Sequence, residues 1–565
     1  MFKLFIISAR KIFARQNALP YLIAGVVAIL YVVWAASFIY KSSFVVVTGE
    51  RIFSLFDDAM ISMRYGWNLA HGQGLVWNPS ERVEGFTNLG MTLCMACASL
   101  FFSKSAAVLA IQIFGAAVML ALAFICATIG RTALHTDESR SNRWIVPVFF
   151  CTGLAFYPLH YWTLMGMENG LQAVFLYAGI LFALAREKDA RFSPSIPIFL
   201  ALAYITRPDS AVPAACIMVF RLVGIIRRPG GLKSVFKETA VLAAAVIAVS
   251  VFRYSYYGEW MPNTYTLKVT GHPLAVRTLS GFRYVKLFWW NRNFIVVGAA
   301  LLGCFVRPTG FKFLLLSILI ATSTYQIYVG GDAFAHFRMQ AHYIPALLLL
   351  LLLGMTDIAE RFGAFRRIHL LKSVTILFVF LCAFYLLNTD YLAELSFKKR
   401  ALDVGNNRRH ADLAFRLNEV LTQDAAIAVF YAGTIPYYVD SKAIDLLGKS
   451  DKHVARAPIY LPDMSIPMKR YAPGHTKYDL KYSIKKLQPT YTAGLAWRNQ
   501  SVAKWGKKHY TLYNYKGIKM WIRNGDPAVR WKQLKEHDRK KALRRIRAES
   551  QNPRFSKNAL QGFIN

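Results

Sequence analysis

The chain has 565 residues, is 55% hydrophobic and carries a formal net charge of +37. The length allows more than one domain, and the apolar fraction excludes an ordinary soluble protein. The charge excess is read as loop and membrane-surface chemistry rather than nucleic-acid binding, because Lys and Arg of polytopic membrane proteins collect in cytoplasmic loops and favour anionic lipid.

Residues 1–19 form a basic leader with Lys3, Arg10, Lys11 and Arg15, expected in the cytoplasm. A first helix is predicted over about 20–40, long enough to cross a bilayer and lacking the short core and cleavage site of a signal peptide. Residues 41–104 then form a large first external loop. Within it, 86–103 is apolar but short, and is expected to lie along the outer leaflet. The run 105–130 ends in RTALHTDESRSNR, whose three arginines belong in the cytoplasm.

From there the sides alternate. Helices are predicted over about 144–162, 169–185, 194–206, 208–226, 239–257, 293–306, 311–329, 340–356 and 370–389. An aromatic, basic segment at 272–293 is expected on the outer surface. The total is about 11 membrane helices, with basic loops on one side and motif-rich loops on the other. Residues 390–525 lose hydrophobicity and gain turn signals such as Ile435-Pro436 and Pro473-Gly474. Short apolar runs at 425–433 and 442–448 predict strands alternating with helices, hence an extracytoplasmic α/β domain. Residues 526–565 read as a basic tail. The seven cysteines read as small core or lipid-facing residues.

The chemistry-bearing residues gather on the predicted outer side. Phe56–Asn88 opens with adjacent Asp57 and Asp58, followed by Arg64. Later loops add Glu168, Arg207, Asp209, Asn263, Tyr265, Lys268, Asp332, His336 and Arg338. Acids and cations beside a membrane are costly unless they pair or do chemistry. A carboxylate pair can act as base or hold a cation, and several cations can hold a phosphate. This set suits glycosyl transfer from a lipid-linked sugar phosphate. Taken singly, each piece also has a plain structural reading: solvated or capping acids, a helix break at Arg207-Pro208-Asp209, a turn at Gly330-Gly331. A transporter or flippase of a lipid-linked precursor is the alternative, but it should carry midplane polar residues and internal repeats.

The stretch DDAMISMRYGWNLAHGQGLVWNPSERVEGFTN resembles the first external loop of a branch of the GT-C membrane glycosyltransferases. That branch holds the terminal β-arabinofuranosyltransferases of actinobacterial cell walls and the pilin arabinofuranosyltransferases. TLMGMEN, TRPD, YYGEWMPNTYTLK, GGDAFAHFR, IDLLGKSD and GHTKYD follow in the family's order, so the resemblance covers most of residues 20–480. It implies a polyprenyl-phosphate sugar donor, arabinofuranose first among the candidates, and an inverting displacement on the periplasmic face of a bacterial inner membrane. The loop-charge pattern itself puts the N-terminus in the cytoplasm and the C-terminus in the periplasm. Asp57 or Asp58 would be the base, and either is a candidate ligand of Mg or Mn. Arg64, Glu168, Arg207, Asp209, Asn263, Tyr265, Lys268, Asp332, His336 and Arg338 would hold the donor, and His475 and Lys477 the acceptor. That acceptor would be a surface glycan, a lipopolysaccharide or a pilin-like protein. Leu164-Met165 stands where the family often has Thr-Ser, which removes a small polar residue before Gly166.

Overall fold

The computed structural model describes residues 18–134, 145–290, 293–361, 369–460, 473–495 and 500–535. The basic leader lies almost wholly outside the described residues, as does most of the basic tail. The structure is mainly helical. It begins with α1 (Ala18–Ser42), which exposes apolar residues such as Leu22, Ile29, Leu30 and Val33 as a lipid-facing helix requires, and packs Tyr31, Ala35, Phe38 and Ile39 against the bundle. The first loop folds into α2 (Asp57–Ala70) and α3 (Leu89–Phe101). At 13 residues, α3 is too short to span a bilayer, which agrees with a helix lying along the surface. Its Cys94 and Cys97 stand at Cys-x-x-Cys spacing, and all seven cysteines are free thiols.

Next come α4 (Lys104–Ala133), α5 (Val146–Thr152), α6 (Tyr157–Leu164), α7 (Asn169–Ala185), α8 (Ser195–Thr206), α9 (Ala211–Ile225) and α10 (Gly231–Tyr257). The bundle continues through α11 (Asn263–Lys268), α12 (Leu274–Trp290), α13 (Phe294–Val306), α14 (Gly310–Val329), α15 (Ile344–Arg361) and α16 (His369–Asn388). Among the described residues, seven helical segments are long and apolar enough to cross a membrane, or up to nine if each of two bent pairs counts as one span. Eleven were expected. The difference starts at 144–162, where one helix was predicted and two short ones stand. Pro158 lies in the first turn of α6 and has no N–H for the carbonyl of Leu154. The His160 ring takes that carbonyl instead, at 2.8 Å. Then α6 and α7 meet at 116°, and the turn between them carries Gly166 and Glu168.

The C-terminal unit begins with α17 (Val404–Val420) and is built on a five-stranded mixed sheet. Its strands are β1 (Ala426–Val429), β2 (Lys442–Asp445), β3 (Tyr491–Thr492), β4 (Tyr510–Tyr515) and β5 (Ile518–Arg523). The order is β2-β1-β3-β5-β4, with β1 parallel to both neighbours and the remaining pairs antiparallel. The packed chain continues past 525: Val529 bridges Leu421, and Leu534 is buried. Between β1 and β2 the chain makes the short helix α18 (Thr434–Tyr438).

The first loop is fastened to this sheet. Arg64 was expected to hold the donor, but its guanidinium is committed to the protein. Nε donates to the Trp77 carbonyl at 2.6 Å, and the other nitrogens donate to Pro436, Val439 and Ser441 carbonyls and to Asn78 Oδ1. With five N–H groups and five acceptors, nothing is left for a ligand. Trp77 Nε1 donates to the Ala432 carbonyl at 3.1 Å, and the Asn78 amide pairs with both backbone groups of Ala443. These bonds bring the N-terminus of α2 to the sheet.

Candidate active site

Asp57 and Asp58 occupy the first turn of α2, where the helix's free N–H ends favour negative charge. Their side chains then part. Asp57 accepts the backbone N–H of Gly433 at 3.2 Å and of Thr434 at 2.9 Å. The approach requires glycine: a Cβ at Gly433 would overlap the Asp57 carbonyl and lie 2.9 Å from its carboxylate. Burial pushes the Asp57 carboxyl up to about 6, with neighbouring Asp58 adding to the rise and the two N–H donors opposing it.

Asp58 is bound by cations. Lys449 Nζ reaches Oδ1, and Arg338 reaches Oδ2 at 3.1 Å. Burial works against its charge, but Lys449, Arg338 and Lys268 outweigh burial and hold its carboxyl well below the usual carboxylate range. Arg338 also grips Asp332 with two bonds, of 2.9 and 3.1 Å. Lys268 faces the same group and makes no ion pair of its own among the described residues. Burial, reinforced by Arg338 and Lys449, pushes it down to about 8. Five residues from four separate stretches of sequence thus converge.

Lys449 is held from both sides. Asp445 accepts the backbone N–H groups of Leu447, Gly448 and Ser450, and the Asn263 amide donates to the carbonyls of Gly448 and Lys449. Asn263 therefore positions a cation rather than presenting its own amide. Tyr265, two residues on, points outward and is 38% exposed.

The aspartates line a cavity of about 430 Å³ together with Phe334, Asp403, Asn406, Asn407, His410, Phe430, Tyr431, Lys449 and His475. It opens where β1 and β2 end, since Phe430–Ala432 follows β1 directly and Asp445, Leu447 and Lys449 stand at and just past the end of β2. The carboxyl ends of parallel strands are the usual place for a ligand, because the loops diverge there.

The other predicted residues go elsewhere. Glu168, Arg207 and Asp209 close on one another: Arg207 bonds Glu168 at 2.5 Å and Asp209 at 2.9 Å. Asn88 and Gln172 take further carboxylate oxygens. His336 pairs with Glu394 at 3.1 Å. His475 lines the cavity beside Phe334, and burial pushes it down to about 4, so it is neutral. Lys477, expected at the acceptor, instead donates to the carbonyls of Thr266, Thr270 and Ala455 at 2.8–2.9 Å, which uses all three of its protons. Lys449 was missed, although it lies in the quoted motif IDLLGKSD. Asp403, Asn406, His410 and Tyr431 carried no motif at all.

A divalent cation does not fit well here. Among the described residues no group of three or more His, Cys, Asp or Glu side chains is placed to hold one. Both Asp58 oxygens are already claimed by Arg338 and Lys449.

Similarity to known proteins agrees with this architecture. ArnT from Cupriavidus metallidurans, in its apo crystal structure, superposes with a TM-score of 0.53 at 13% identity, over 88% of this chain and 97% of that one. This chain has the GT-C fold. The same protein bound to undecaprenyl phosphate matches with a TM-score of 0.47 at 13% identity, over 75% and 85% of the two chains, and adds nothing to the fold assignment. The terminal β-(1→2)-arabinofuranosyltransferase of Mycobacterium tuberculosis is 27% identical over 222 residues, 37% of this chain. The match spans 34% of that relative, about a third of its length. A family profile described as "Domain of unknown function (DUF8728)" matches residues 402–531, which hold α17 and the whole sheet of this GT-C chain.

Proposed function

We propose that this protein is a membrane glycosyltransferase that moves a sugar from a polyprenyl-phosphate donor to a hydroxyl of a surface glycan or protein. The sugar proposed is arabinofuranose, the one named by the curated relative. The reaction is assigned to the periplasmic face of a bacterial inner membrane, where a polyprenyl tail stays in lipid while its phosphate reaches the cavity.

One observation carries the reading: two adjacent aspartates, tuned in opposite directions, line one cavity, and three cations, Lys449, Arg338 and Lys268, converge on Asp58 at its edge. Asp57 is the base. A carboxyl near 6 is ionised at neutral pH yet basic enough to take a proton from an attacking hydroxyl. The acceptor oxygen bonds to the anomeric carbon as the carbon–oxygen bond to phosphate breaks. The electron pair leaves with the polyprenyl phosphate, and the single displacement inverts the anomeric centre. Arg338, Lys449 and Lys268 neutralise the leaving phosphate. Asp58 keeps Arg338 and Lys449 in place and remains ionised throughout, a positioning role.

The test is transfer from a synthetic polyprenyl-phosphate arabinofuranose by the purified protein, with Asp57→Asn and Asp58→Asn. Loss of transfer in Asp57→Asn with donor binding retained supports the assignment. Full activity in Asp57→Asn sinks it.

A further inference from the structure

The cavity has a second wall that neither the transferring base nor the cations use. Asp403, Asn406 and His410 project from the start of α17, and Tyr431 stands opposite Asp57 on the turn that also supplies the Gly433 and Thr434 N–H groups. Tyr431 is 49% exposed and packs on His410 with ring centroids 4.0 Å apart. The His410 Nδ1 atom is buried and has no hydrogen-bond partner among the described residues. Asn406 donates to Asp403 Oδ1 at 3.2 Å, which leaves Asp403 Oδ2 and the Asn406 carbonyl oxygen to a ligand. Asn407 is already committed to the Leu55 carbonyl at 2.8 Å.

We propose that this wall is the acceptor subsite, and that it takes the terminal residue of a neutral glycan. The proposal rests on the transferase reading above and names the substrate class of the same site. Three features support it. An aromatic face backed by a second ring suits the C–H face of a sugar, an apolar surface with hydroxyls at its edge. A carboxylate, an amide and a free imidazole nitrogen give point contacts for those hydroxyls. The charge is also one-sided. Among the described residues Asp57 and Asp403 form no ion pair, and only Lys449 acts on Asp57 from across the cavity, while Lys449 and Arg338 are paired with Asp58, Arg338 also with Asp332, and Lys268 faces both of those acids. Burial keeps His410 neutral, pushed down to about 4. Arg408 and Arg409 on α17 are exposed and do not line the cavity. An anionic acceptor would therefore meet like charge. The volume, about 430 Å³, falls in the range of small-molecule sites. The tie to the base is covalent: residues 431–434 carry both the ring and the N–H groups that orient Asp57.

The experiment uses the full-length protein, a synthetic polyprenyl-phosphate arabinofuranose, and three acceptor classes: neutral oligosaccharides, the same glycans phosphorylated at the terminal residue, and serine-containing peptides. Transfer to the neutral glycans is expected. Tyr431→Ala should raise the acceptor KM ~10-fold, the scale of one lost aromatic contact, with donor KM within ~2-fold. Tyr431→Phe should keep the acceptor KM, which separates ring loss from misfolding. Transfer confined to the phosphorylated glycans or the peptides overturns the proposal, as does an acceptor KM indifferent to Tyr431→Ala. A wild-type protein that neither binds nor turns over the donor overturns the transferase reading itself.

Discussion

Two polar clusters of similar composition behave differently. Where the turn after α6 meets the end of α8, Arg207 is closed between Glu168 and Asp209, and the neighbouring amides of Asn88 and Gln172 finish the set. At the mouth of the sheet, Asp57 and Asp58 face a cavity, and Lys268 stands with no ion pair of its own among the described residues. The first cluster is satisfied internally, so its contribution is to hold elements together. The second is left with unbalanced, buried groups whose ordinary proton affinities have been displaced, the condition a reactive site needs. Acids and cations beside a membrane therefore do not mark a site by themselves. Spare valence facing an open volume does.

Substitutions can break or sharpen this contrast. The largest effect is expected from Asp57→Asn, which should lower the transfer rate by ~10²–10⁴-fold while thermal unfolding stays near wild type. Next is Arg207→Met in the closed cluster. It strands two buried carboxylates and should cost about 3–5 kcal/mol of stability in denaturant titration, with donor KM of the folded fraction unchanged. A raised donor KM at unchanged stability would move the closed cluster into the binding site and erase the distinction.

Smaller effects should follow at the supports. Gly433→Ala removes the close approach of two N–H groups to Asp57, and ~10-fold loss of kcat/KM is expected from losing charge-assisted hydrogen bonds. Those bonds favour the ionised form, so the same variant should shift the acid limb of the pH profile upward. In the wild type that limb should lie near pH 6: Asp57 is ionised and active above it, and transfer is lost as pH falls through it. An acid limb near the usual carboxylate range would assign the base to another group. The mildest change is Asn263→Ala, which frees the Gly448 and Lys449 carbonyls without removing a group that faces the donor, and should raise donor KM only a few-fold, ~1 kcal/mol in all.

Much of the architecture was legible in the sequence. Long apolar runs predicted α1, α4, α7, α10, α14 and α16 to within a few residues at most ends, because a helix must satisfy its own backbone in lipid and has little freedom to do otherwise. The α3 segment was short enough to be read as a surface helix. The run 144–162 failed because hydropathy does not register that Pro158 breaks the ladder and that a His160 side chain can take the freed carbonyl. Asp57, Asp58, Asp332, Arg338 and Lys268 were named from sequence, and they do meet. Arg64 was named as an outer-side cation and Lys477 from the resemblance of GHTKYD, and both turned out to fasten carbonyls.

The sequence by itself determined the membrane class, the strand–helix character of the C-terminal unit and the pair of acids, since these follow from local composition and periodicity. Only the tertiary structure decided which aspartate is tuned upward, which cations are spent, and that α17 and the β1 turn supply the opposite wall. Those properties depend on burial and on distances between residues hundreds of positions apart, as between Asp58 and Lys449. No local pattern carries them.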